Sequence, residues 1–79
     1  MEVEKLVLEI LEKNFSGDKI KFGGDGRHFN LIIISEKFNG LSLLDRSRLV
    51  HTHLKELIDS DRLHALSMEL KTPKEIPNG

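Results

Sequence analysis

The chain has 79 residues, 38% apolar and 32% charged, which sets the scale of one small soluble globular domain. A formal net charge of −1 argues against a molecule whose main task is to grip nucleic-acid phosphates. The absence of cysteine excludes disulfides, cysteine-only metal sites and thiol catalysis.

Val3, Leu6, Val7, Ile10 and Leu11 recur at helical spacing, which predicts an amphipathic first helix with Glu2, Glu4, Lys5, Glu9, Glu12 and Lys13 on its polar side. Asn14 to Gly17 read as its stop signal. Ile20 and Phe22 alternate with Lys19 and Lys21, as in a short half-exposed strand. The glycine-rich GGDGRHF, residues 23–29, turns the chain into HFNLIIIS, residues 28–35, whose near-continuous apolar run predicts a central strand covered on both faces. The two strands form a hairpin. Residues 36–40 connect to a second helix running from the capping residue Ser42 to Asp59. Leu43, Val50, Leu54, Leu57 and Ile58 are expected on its buried face, with Arg48, Thr52 and Lys55 opposite. DSDR, residues 59–62, ends the helix and leaves room for a short extra turn. LHALSMELKT follows as a third strand, in which Leu66, Met68 and Leu70 alternate with Ser67, Glu69 and Lys71. Pro73 can open a last helical turn, and residues 77–79 are expected to be a frayed tail.

The order is α-β-β-α(-α)-β in a single domain, residues 1–76, of the α+β class. A helical crossover between strands two and three favours parallel pairing, while the hairpin is antiparallel. The expected result is a three-stranded mixed sheet with helices on one face.

Parallel strands start at the same edge of a sheet. His28 begins strand two and His64 begins strand three, so this topology brings two histidines together. Taken alone, His64 reads as the cap of a core stripe and His28 as an ordinary residue beside a turn; a neutral imidazole can also ligate iron. His51 and His53 point about 200° apart on a helix and do not converge on a metal. Arg46, Arg48 and Lys55, with Arg27 as an accessory, are the nucleic-acid candidates. Asp45, Glu56 and Asp59 balance that helix, and no aromatic side chain on it is placed to stack a base. Arg46 flanks the apolar face, so docking against the sheet edge or a partner competes with a nucleic-acid role. GGDG satisfies the GxxG of KH domains by letter only: it joins strands, not helices, and Asp25 would repel phosphate. No nucleophile stands beside an evident base and acid, so enzyme is the least favoured class.

The run FNGLSLLDRSRLVHTHLKELIDSDRLHALSMELKTPKE, residues 38–75, resembles the signature of BolA-like proteins, in its BolA and IbaG branch. The matches are Phe38, Gly40, Arg46, Arg48, Leu49, Val50, Leu54, Leu63 to Ser67, Thr72, Pro73 and Glu75, and GDGRHF resembles a family turn. Ser47, His51 and Ile76 depart from the pattern, which usually has His, Tyr and Trp there. The resemblance implies a type II KH-like fold and partnership with a monothiol glutaredoxin across a bridging 2Fe-2S cluster, in cluster trafficking or iron sensing. Such a cluster needs four ligands, normally thiolates. This chain would give His64, the surer ligand, and His28, while the partner brings its cysteine and a bound glutathione. His64 and Arg46 would face that partner. No cofactor is expected in the isolated chain, and a homodimer of the apo form is a further candidate assembly. The alternative function is a DNA-binding transcriptional regulator using the long helix with Arg46, Arg48 and Lys55. The acidic N-terminus MEVEKLVLEI does not read as a signal peptide, and no run is long enough for a membrane span, so the expected compartment is the cytoplasm.

Overall fold

The computed structural model describes residues 2–25, 27–63 and 65–76. Helix α1 spans Glu2–Asn14, strand β1 Lys19–Gly24, strand β2 Phe29–Ile34, helix α2 Leu43–Asp59 and strand β3 Leu66–Lys71. Single 3-10 turns occur at Glu36–Phe38 and Pro73–Glu75. Residues 77–79, the expected tail, lie outside the described residues. Ser60 caps α2, and residues 60–63 form no further helix; the backbone there turns through Asp61 at φ +61°.

The sheet order is β1-β2-β3, antiparallel between β1 and β2 and parallel between β2 and β3. This is the mixed sheet of the α+β expectation. Phe29, Leu31 and Ile33 on β2 are buried together with Val7 and Leu11 of α1, Val50, Leu54 and Leu57 of α2, and Leu70 of β3. Both helices therefore pack on one face. Each such side chain gains roughly 1.5–3 kcal/mol relative to exposure.

Three expectations need correction. Strand β2 is buried on one face only: Asn30 is exposed and Ile32 and Ile34 are half-buried, in register with Lys21 and Lys19 of β1 and with Glu69 and Lys71 of β3. The continuous apolar run reflects isoleucines lying among lysines on an open face, where lysine stems can cover apolar surface. Leu43 is 77% exposed, because the buried stripe of α2 begins one turn later, at Arg46. Finally, β2 begins at Phe29 and β3 at Leu66, not at the histidines. Ala65 at φ +51° interrupts the alternation immediately ahead of β3, and His64 lies outside the described residues.

Leu63, ahead of β3, and two phenylalanines outside the helices and strands complete the core. Phe15, just past α1, and Phe38, in the connection after β2, are buried with ring centroids 5.6 Å apart. Gly17 at φ +82° provides the left-handed backbone that turns the chain after α1. The Lys37 ammonium donates to the Asn14 carbonyl and lies 5.2 Å from the Phe15 ring centre, closing the C-terminal end of α1.

Candidate functional site

The candidate site is the sheet edge where β2 and β3 both begin. Gly24 and Phe29 form the last pair of the hairpin, and Phe29 is also in register with Leu66. The Phe29 N–H donates to the Ala65 carbonyl at 3.1 Å, so the parallel pairing extends one residue ahead of β3. His28 therefore precedes β2 at the level where Ala65 precedes β3, and it is exposed. His64 lies outside the described residues; of its neighbours, Leu63 is buried and Ala65 is exposed. The topological half of the expectation holds: both strands start at one edge.

Asp25 organises the turn that carries His28. Its Oδ1 accepts the N–H of Arg27 at 2.9 Å and that of His28 at 2.8 Å. Its own N–H donates to the His28 carbonyl at 3.2 Å. These contacts hold the Asp25 carboxyl below the usual range, the His28 N–H contributing most and the Arg27 N–H next. Gly24 leaves no room for a side chain, since a Cβ would stand 2.3 Å from the His28 carbonyl oxygen. Behind the turn, Phe22 stacks on Phe29 with centroids 5.5 Å apart and planes 6° from parallel. Sequence reasoning weighed Asp25 only as a phosphate repellent. The signal that it orders the turn was an Asp with glycines on both sides, since Asp readily hydrogen-bonds backbone N–H groups just after it.

The other candidates separate from this edge. Arg46 is 6% exposed. Its Nε donates to Leu41 O at 3.0 Å, one terminal nitrogen donates to Leu70 O at 3.0 Å, and both terminal nitrogens grip Glu75 at 2.7 and 3.1 Å. Docking against the sheet edge is thus the outcome, and it withdraws Arg46 from the nucleic-acid and partner-facing sets. Arg48 is exposed and lies 3.6 Å from Asp45, and Lys55 is exposed and lies 2.5 Å from Asp59. Each remaining cation of the long helix therefore has a carboxylate beside it. His53 meets the Phe15 ring edge-on at 5.8 Å, while His51 is exposed. Among the described residues, no three His, Asp or Glu side chains gather where they could hold a metal. No helix of the described residues is long and apolar enough to cross a membrane.

As for ligand chemistry, the edge offers one described donor suited to iron, the exposed His28 imidazole, and no thiolate. That donor set fits a cluster shared with thiolates from elsewhere.

Comparison with known proteins bears on the same features. The family model described as BolA-like protein matches residues 2–75. A BolA-like protein of Dictyostelium discoideum is 36% identical over 94% of the chain. The chain spans 63% of that relative's length and 49% of the chloroplastic BolA1 protein of Arabidopsis thaliana. Among solved structures, BolA1 from Arabidopsis thaliana superposes with a TM-score of 0.81 at 36% identity, covering 92% of this chain and 94% of that one. The BolA domain of SufE1 from the same plant gives 0.87 at 33% identity, covering 96% and 98%. Fold, residue pattern and family model agree, and the chain belongs to the BolA-like family.

Proposed function

We propose that the protein is an adaptor that binds a monothiol glutaredoxin and, through His64 and His28, supplies imidazole ligands to a 2Fe-2S cluster held between the two proteins. Members of the BolA family are regulators or adaptors rather than known enzymes, and the occurrence of a BolA domain in SufE1 is consistent with an iron–sulfur related role. The observation that carries the reading is the parallel β2–β3 register, which sets the starts of both strands at one edge with His28 exposed there.

When bound, the cluster would supply transferable iron and sulfide. The chain's own part is to present neutral nitrogen donors from a rigid sheet edge. Thiolates must come from the partner, as its cysteine and its glutathione, because this chain has none.

The test is anaerobic mixing with a monothiol glutaredoxin, glutathione and an iron–sulfide source, followed by visible absorption and circular dichroism. Wild type should give a heteromeric complex whose spectrum differs from that of the glutaredoxin alone. His64→Ala should abolish that difference. A mutant spectrum identical to wild type would remove His64 from the ligand set, and a colourless complex would leave only protein–protein association.

A further inference from the structure

We propose that Asp25 is the positioning residue for His28, with Gly24 as the space that lets it work. The inference rests on the reading of His28 as a ligand, but the positional claim can be tested without it.

A hairpin turn needs glycines or a suitable pair of turn residues; it does not need a carboxylate. Here one carboxylate oxygen takes two successive backbone N–H groups, those of Arg27 and His28, and the Asp25 N–H returns to the His28 carbonyl. Both backbone polar groups of His28 are thus bonded to the same residue, although its side chain is exposed. Gly24 admits this closure because any Cβ would collide with the same His28 carbonyl.

The consequence is a histidine whose backbone is fixed before anything binds to its ring. A ligand on an unordered loop must surrender that freedom at the moment of coordination, at a cost of about tenfold in affinity per residue ordered. The carboxylate is not needed to hold the hairpin itself. Register pairs from Lys19 with Ile34 to Gly24 with Phe29 hold the strands, and Phe22 stacks on Phe29 behind the turn.

The experiment compares Asp25→Ala, Asp25→Asn, Gly24→Ala and His28→Ala in two settings. In the isolated protein, amide hydrogen exchange is followed at residues 27 and 28. Asp25→Ala and Gly24→Ala should accelerate exchange at residue 28 about tenfold or more, whereas Asp25→Asn, which keeps the acceptor oxygen, should stay close to wild type. In the cluster-bearing complex with the glutaredoxin, Asp25→Ala should speed cluster loss about tenfold, approaching His28→Ala, and Asp25→Asn should restore near-wild-type retention. Unchanged exchange in both Asp25→Ala and Gly24→Ala overturns the proposal. Asp25→Asn behaving like Asp25→Ala overturns it too, because charge rather than geometry would then matter. Accelerated exchange alongside an unaffected cluster in His28→Ala supports the positional role and instead removes His28 from the ligand set.

Discussion

Glu75 reaches Arg46 across 29 residues of chain and ties the last 3-10 turn to the start of the buried stripe of α2. The guanidinium is the more buried partner and also serves the Leu41 and Leu70 carbonyls, so its loss leaves several acceptors unpaired at once. Arg46→Ala should lower the melting temperature by about 10 °C, and Arg46→Lys should recover little of it, because an ammonium cannot reproduce the two-pronged grip. Hydrogen bonds from Arg46 first, and then from the Thr72 N–H, hold the Glu75 carboxyl at about 2 against an ordinary value of 4.5. A carboxylate with a depressed folded value stabilises the fold fully above its unfolded value, and that contribution disappears as pH falls through the interval between the two. Denaturant titrations of wild type and Glu75→Gln should therefore differ most above pH 4.5 and converge as pH approaches 2. A constant difference across that interval would show that the pair contributes little. Neither partner announced itself locally. Arg46 flanks the apolar face in sequence, which allows docking on the sheet edge, but its acceptors at Leu70 and Glu75 are a tertiary fact. The motif offered only the joint presence of Arg46 and the T-P-x-E segment.

Individual elements divide into those whose pattern had one reading and those with two. Helix α1 and the alternation Leu66, Met68, Leu70 were legible because helical and strand periods do not mimic each other. Strand β2 was legible as a strand but not in its environment, since Ile32 and Ile34 on the open face look in sequence like Leu31 and Ile33 on the closed one. Helix α2 begins with Ser42, whose hydroxyl accepts the Asp45 N–H at 3.1 Å, followed by the exposed Leu43 and Leu44. Ser42→Ala should cost about 1 kcal/mol by removing that cap. Leu43→Gln should change stability by less than about 0.5 kcal/mol, as a surface substitution does. Leu54→Ala, at a position with 0% exposure, should cost about 3 kcal/mol. Equilibrium unfolding of the three variants would separate cap, surface and core in one helix.

At the scale of the whole molecule, two apolar helix stripes and three strands enclose one core, with a Cα radius of gyration of 12.2 Å. The candidate edge was legible as topology: an antiparallel hairpin followed by a helical crossover leaves the starts of β2 and β3 together. What the topology did not disclose was how the turn is held, because the hydrogen bonds of Asp25 depend on where the backbone places the N–H groups of Arg27 and His28. The chain has neither tryptophan nor tyrosine. Tyrosine and tryptophan absorption and emission in any complex would therefore come from the partner rather than from this subunit.

The Arg46–Glu75 clasp also decides where this domain can be cut. Judged by its sheet, the unit ends at Lys71, but a break there would remove Glu75 and leave the buried Arg46 guanidinium without its carboxylate partner. In fusions built from this chain, excision after residue 71 should yield an unstable, protease-sensitive fragment. Excision after residue 76 should yield one that folds. Four residues past the last strand carry the latch.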